Sequence, residues 1–260
     1  MATPGKFGKL APKENPKTLL FSKYLKSDAV LPPPSSKRAW EYVITDERWA
    51  ATMFGNDTIG DCTCASKGHI LMAVSANAGS LILPTTEQCV ELYSAVTGYD
   101  PSQTQTDGSN PTDNGAAMTD VYDYILKNGF AGQKILGWVK VDHTDRVHFE
   151  QCVELFGACD TGVQLPNSAM NQFQNDQSWD IISNDGGIDG GHCVPYLGYG
   201  SLGETCITWG KRQPTGIPWF QKYADEAYGI IWEDWFDTTG VAPNHFDRDA
   251  LWADLKALSV

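Results

Sequence analysis

Positive charge is scarce in this chain. Nineteen Lys and Arg stand against 32 Asp and Glu, a formal net charge of -13 with five histidines counted as neutral. That balance argues against nucleic acid or an anionic membrane surface as a main partner. Long apolar runs are missing as well. Nothing approaches the ~20 residues of a membrane span, and the polar start Met1-Ala2-Thr3-Pro4-Gly5-Lys6 carries no export signal. No membrane partner is therefore expected. Cysteine is thin for a disulfide scaffold: seven, at 62, 64, 89, 152, 159, 193 and 206, an odd number that leaves at least one thiol free or paired with another chain. Cys62, Cys64 and His69 lack the Cys-x-x-Cys spacing of common zinc sites. The glycines at 186, 187, 190 and 191 precede a strand pattern and have no Lys-Ser/Thr, so they form no phosphate loop. Neither metal nor cofactor is expected.

What is present is aromatic and apolar. Hydrophobic residues make up 42% of the chain, with nine Trp, ten Tyr and ten Phe, enough to fill a core and too many for a disordered acidic protein. Residues 1–37 are rich in Pro and Lys, with Pro32-Pro33-Pro34 as a stiff spacer. This leader reads as a strap around the fold that leaves any cleft open, because it has extended chain in place of long amphipathic helices. Residues 38–54, with Trp40, Tyr42, Val43, Ile44 and Trp49, suggest a short strand feeding the turn before Cys62, and from there to 157 the patterns are mostly helical. A helix is expected over Cys62–Ala76, another from the capping box Thr85-x-x-Gln88 to Gly98, a third over Ala116–Lys127, and a fourth over Asp145–Phe156 closing at Gly157. Cys89 and Cys152 fall on helical patterns as core residues. From Gly162 onward the chain reads as strands: 162–165, Cys193–Tyr199, Thr205–Trp209 and Tyr228–Trp235. The acidic pairs Asp225-Glu226 and Glu233-Asp234 read as solvated faces.

The densest chemistry lies in Gly55-Asn56-Asp57-Thr58-Ile59-Gly60-Asp61-Cys62. A thiol at a helix N-terminus meets partial positive charge and unpaired N–H groups, which favour thiolate. The Asn56 amide and the Cys62 backbone N–H are the right donors for an oxyanion. A base is found at His192, in Asp189-Gly190-Gly191-His192-Cys193, where a glycine-rich turn opens an apolar strand. His69 is two helical turns beyond Cys62, His143 and His148 flank a helix start, and His245 lies in a polar tail. Cys64 points to the opposite side of the helix from Cys62, toward core packing or a disulfide.

These motifs resemble papain-like cysteine peptidases. That family has an amide side chain six residues before its cysteine and Gly two before, matched by Asn56 and Gly60; its histidine opens a strand reaching Gly-Tyr-Gly six residues later, matched by His192 and Gly198-Tyr199-Gly200. The separation of 130 residues between Cys62 and His192 is also similar, and Asn114-Gly115 followed by a helix resembles the family's substrate wall. The resemblance covers roughly residues 50 to 236.

It implies an α+β, two-lobed fold. The catalytic domain would span 38–260, with a helical lobe over about 50–157 carrying the cysteine and an antiparallel β-rich lobe over about 158–260 carrying the histidine. Cys62 would attack a peptide carbonyl, His192 would pair with it and protonate the leaving amine, and Asn56 would hold the oxyanion. Gly60, Gly115 and Gly191 would let a peptide or protein substrate lie close in the interlobe cleft. Three departures stand out. Asn56 replaces the family's Gln, Thr63 replaces the tryptophan after the cysteine, and the position of the histidine-orienting Asn falls on Thr208, beside Trp209 as a shield. Two other readings remain open. Gly60-Asp61-Cys62-Thr63 also resembles the start of cell-wall amidases of phage lysins, and the missing Asn leaves room for an inactive binding or structural protein. The oligomeric state and the compartment are not legible.

Overall fold

A computed structural model describes residues 5–24, 36–44, 48–233, 253–254 and 256–257. The Pro32–Pro34 spacer, Asp234, Trp235 and His245 lie outside the described residues.

The helices over Phe21–Tyr24 (α1) and Arg48–Ala51 (α2) are single turns. Cys62–Asn77 (α3) is buried on almost every side, as its small and apolar composition demands of a central helix. Thr86–Thr97 (α4) starts at the full Thr85/Gln88 capping box and stops where Gly98 takes a left-handed φ of 79°. Met118–Asn128 (α5) and Arg146–Phe156 (α6) follow, α6 capped by the Asp145 carboxylate on the Val147 and His148 amides. Asn167–Gln174 (α7) and Ile217–Tyr223 (α8) are short helices between strands.

The strands are Leu19–Leu20 (β1), Arg38–Ala39 (β2), Ile135–Lys140 (β3), Cys159–Pro166 (β4), Ile188–Gly200 (β5), Gly203–Thr208 (β6), Lys211–Thr215 (β7) and Ala224–Trp232 (β8). They form one sheet in the order β1-β3-β8-β4-β5-β6-β7, with β2 on β5; every pair is antiparallel except β1 with β3. Successive residues point to opposite faces. Trp138, Leu197 and Ile230 enter the core shared with α3, α4 and α5, while Val139, Tyr196 and Ile231 enter a second core with Phe149 and Phe156 of α6 and Trp219 of α8. Among the described residues no helix is long and apolar enough to cross a membrane.

Two expectations about the architecture are corrected. The helical lobe does not extend to residue 157, because β3 joins the sheet beside β8 and the apolar side of α6 packs on its second face. Ile135–Lys140 is a short, almost wholly apolar run that local periodicity does not assign, and its pairing with β8 makes it a strand. His192 is also not the first residue of its strand. β5 starts at Ile188, Gly190 and Gly191 are paired with Leu165 and Gln164, and His192 is buried.

α3 is tied to the sheet by a buried polar knot. The Asp160 carboxylate on β4 accepts from Ser66, Lys67 and Tyr122, the last at 2.7 Å, and from the Cys193 thiol at 3.3 Å. Burial alone lowers the Lys67 ammonium, but Asp160 outweighs it and holds the pKa above its ordinary value. All seven cysteines are buried and free.

Candidate active site

Three elements meet at the head of α3. Cys62 is its first residue, and Asp61, in the N-cap position, makes no side-chain cap bond. His192 comes from β5, across the sheet–helix boundary. The hairpin from β6 to β7 supplies the third. Its loop is the two residues Trp209-Gly210, both left-handed at φ 45° and 78°, between the paired Thr208 and Lys211. Two positive φ values in a two-residue loop make a type I′ turn, a costly backbone for a tryptophan. The turn lays the indole on the imidazole, ring centroids 4.5 Å apart and 25° between planes.

Cys62, His192, Asn56, Thr208 and Trp209 all line one small cavity of about 20 Å³, room for a single water. His192 Nε2 lies 2.7 Å from the Thr208 hydroxyl, and Nδ1 is buried with no hydrogen-bond partner among the described residues. If Nε2 carries the proton and donates to Thr208, the Nδ1 lone pair is free for a thiol. The Trp209 indole N–H donates to Asn56 Oδ1 at 3.0 Å. That bond fixes which end of the amide is the donor, and Asn56 Nδ2 turns to the backbone carbonyls of Lys6 and Ile59 at 3.0 and 3.1 Å. His69 reaches the lining of the same cavity from farther along α3, its ring edge-on to Phe54.

The leader occupies the cleft, which overturns the expectation that it straps around the fold. Residues 5–10 run as extended backbone between the two walls. Lys6 N donates to Asn56 O at 2.7 Å, and Gly8 N and Lys9 N both reach Gly191 O at 3.3 and 3.1 Å. Ala116 N donates to Gly8 O at 2.8 Å, and Leu10 N to Ala116 O at 3.0 Å. Short extended chain fills a narrow trough as well as a helix fills a wide one. The glycines explain the fit. A Cβ at Gly115 would stand 2.3 Å from Gly8 O, one at Gly191 2.3 Å from Lys9 O, and one at Gly60 2.8 Å from Phe7 O. Phe7 packs edge-on to both His192 and Trp209, at 6.1 and 6.0 Å.

Occlusion sets the charge state. Burial pushes the Cys62 thiol up to about 12, Asp61 adds to the rise, and the backbone N–H groups of Cys193 and Gly8 oppose it. Burial alone pulls His192 down to about 3. The expected thiolate is therefore corrected to a neutral thiol beside a neutral imidazole. A helix terminus contributes at most ~2 kcal/mol, whereas a displacement from 9.0 to about 12 corresponds to ~4 kcal/mol, so desolvation wins.

The acidic pair Asp225-Glu226 is not a solvated face either. Lys9, with its side chain fully buried, places Nζ 2.9 Å from Asp225 and 3.1 Å from Glu226. Sequence reasoning missed this pocket, although an acidic pair inside the apolar run of β8 was a visible signal. No cluster of three metal-ligating side chains occurs among the described residues.

No family model matches the chain, and no curated protein matches it in sequence. Solved structures do. Xylellain, a cysteine protease from Xylella fastidiosa, superposes with a TM-score of 0.65 at 13% identity, covering 89% of this chain and 97% of that one. The chain has the papain-like fold. Digestive procathepsin L 3 of the Tenebrio molitor larval midgut matches at 0.53 and 12% identity over 85% of this chain and 75% of that one. The ragweed pollen allergen Amb a 11, a cysteine protease in its proform, matches at 0.50 and 16% over 78% and 67%. The mixed α+β, mostly antiparallel architecture agrees with the expected fold class.

Proposed function

We propose that this papain-like chain is a latent cysteine-dependent peptidase whose nucleophile is Cys62 and whose base is His192. The observation that carries it is the shared cavity: the thiol, an imidazole with an unpartnered Nδ1, and the Asn56 amide converge where a peptide backbone already lies. Asn56 Nδ2 donates to a leader carbonyl, the interaction an oxyanion hole needs to make more strongly in the transition state. Thr208 positions the imidazole, and Trp209 shields the pair from water. Gly60, Gly115 and Gly191 receive substrate backbone as they receive the leader. The leader runs beside the sulfur with Gly8 held between Gly191 O and Ala116 N, and so blocks the site. Two of the matching structures are pro-enzymes by name, which fits an occluded cleft.

Once the leader leaves, water and substrate reach the pair. The Cys62 proton passes to His192 Nδ1, sulfur adds to the peptide carbonyl, and the imidazolium protonates the departing amine. A water then hydrolyses the thioester with His192 as base. Unlike the phage-lysin amidases that Gly60–Thr63 also resembles, the chain carries its histidine 130 residues after the cysteine, which favours the peptidase.

The test uses the full chain with Gly8→Ala, which cannot keep the leader seated. It is expected to cleave denatured protein and to be labelled by a thiol-alkylating epoxide, both lost in Cys62→Ser and His192→Ala. Labelling without cleavage would place the protein among inactive binding members of the fold. Absence of both would end the hydrolase assignment.

A further inference from the structure

We infer that the Lys9 pocket is a specificity subsite for a basic side chain of the substrate, Lys or Arg, at the residue that pairs with Ala116. The inference rests on the peptidase reading and names its substrate class. Lys9 is the leader residue in register with Ala116, through a bridge made by its neighbours Gly8 and Leu10. Its side chain turns off the trough into a pocket between β4 and β8, where Nζ meets Asp225, Glu226 and its own neighbour's carbonyl, Leu10 O at 3.1 Å.

The pocket is built around a cation. Gln164 Nε2 donates to Asp225 Oδ2 at 2.6 Å and Tyr228 Oη to Glu226 Oε2 at 2.9 Å, which aims both carboxylates inward. Its floor is Gly162. A Cβ there would come within 2.0 Å of Lys9 Cε, 2.7 Å of Asp225 Oδ1 and 2.8 Å of Glu226 Cγ. Those three contacts are the nearest a side chain at 162 would make, and Gly162 is not left-handed, so its bareness serves the pocket and not a turn. Glu226 Oε1 faces the Lys9 ammonium at 3.1 Å, and Asp225 Oδ1 is buried with no hydrogen-bond partner among the described residues. With the acceptors that Lys9 occupies, this spare oxygen suits the forked N–H groups of a guanidinium as well as an ammonium.

When the leader withdraws, two neighbouring carboxylates lose their counter-ion while one stays buried. An apolar side chain would leave them unpaired, a basic one restores the balance, and an acidic one is repelled. Discrimination by unpaired buried charge exceeds what a methylene-sized fit supplies.

The experiment takes the full chain carrying Gly8→Ala and a positional-scanning library of fluorogenic peptides bearing Lys, Arg, Leu, Phe or Glu at each position in turn. One position is expected to prefer Lys and Arg over Leu by at least about 10-fold in kcat/KM. Glu226→Gln with Asp225→Asn should erase that preference, and Gly162→Ala should exclude long side chains there. Cleavage with no basic preference at any position, or with a preference that survives the neutralised pair, overturns the subsite. If the library is not cleaved, binding decides: a synthetic peptide of residues 1–12 is titrated against the same variant, beside its Lys9→Leu form. At least about 10-fold tighter binding of the lysine peptide upholds the subsite independently of catalysis, and equal affinity refutes it.

Discussion

Substituting Gly8 by Ala isolates the leader's hold on the cleft in one methyl group. A Cβ at position 8 would sit 1.7 Å from Gly60 O and 2.3 Å from its carbonyl carbon, where side-chain carbons essentially never approach within 3.0 Å. Both neighbours are backbone, at the turn that presents Cys62, and Gly60 N is itself pinned to the Asp113 carboxylate at 3.0 and 3.1 Å. The wall is held, so the leader must yield. Its withdrawal breaks the bonds from Ala116 N to Gly8 O and from Gly8 N and Lys9 N to Gly191 O, and lifts Lys9 from its carboxylates. Two to four lost hydrogen bonds at ~1 kcal/mol each give ~2–4 kcal/mol, which raises the open fraction about 30- to 1,000-fold. The readout is iodoacetamide modification of Cys62 at pH 7.5, located by peptide mass mapping. The thiol in the native chain is buried and protonated, and the other six cysteines are buried too. The variant is expected to label at Cys62 faster by that factor while its melting curve stays cooperative. Labelling at the wild-type rate in a folded protein would refute the occlusion argument.

Four other outcomes follow from the same geometry. In the Gly8→Ala background, Asn56→Ala should lower kcat about 100- to 1,000-fold. Trp209→Phe, which keeps the stacked ring but removes the N–H that orients Asn56, should cost about 10-fold; because they act through one amide, the double variant should be no worse than Asn56→Ala within about threefold in a peptide-hydrolysis assay. Burial lowers His192 to about 3 and His69 to about 4. The unfolded chain therefore binds more protons below the ordinary value of 6.5, so this stability is present above that pH and is lost as pH falls through the folded values. Urea midpoints should drop between pH 6.5 and 4, and less so in His192→Gln. Glu204 runs the other way: burial raises it to about 8 against the opposing pull of Arg146, so stability declines as pH rises from 4.5 to about 8, and Glu204→Gln should gain ~1–4 kcal/mol at pH 8.5 in the same titration. Asp160→Ala strands the buried Lys67 ammonium and should cost ~3–5 kcal/mol in urea unfolding, while Lys67→Met with Asp160→Leu should cost less.

The parts of the fold legible in the sequence are those whose signal is local. The capping box at Thr85, the stops at Gly98 and Gly157, and the cysteine helix reappear in the structure within a few residues. So does the juxtaposition of Cys62, His192, Asn56 and Thr208, because two short motifs carried it across 130 residues. What sequence could not disclose depends on long-range partners. β3 is a strand because β8 receives it. The charge of Cys62 is decided by water exclusion, which a segment more than fifty residues upstream imposes. Asp225 and Glu226 looked solvated because their counter-ion, Lys9, is 216 positions away from Asp225.

The glycines show why one sequence pattern supported both the substrate expectation and the leader that displaced it. Gly60, Gly115 and Gly191 lie along a single trough, and at each a Cβ would collide with leader backbone. Backbone passing through such a trough offers the same N–H and C=O groups whoever supplies it, so the walls cannot tell a leader from a substrate. On the peptidase reading, discrimination must come from what lies beside the trough, the side-chain pocket that Gly162 keeps open for Lys9. On that same reading, a leader that blocks the cleft is a pseudo-substrate in its side chain. It follows that Lys9→Glu in the otherwise native chain, with the trough glycines intact, should free the cleft by charge repulsion alone. Cys62 labelling should rise at least about 30-fold, the change expected when a buried pair worth ~2 kcal/mol becomes repulsive. A further rise at low ionic strength, where the repulsion is least screened, would separate this cause from a steric one.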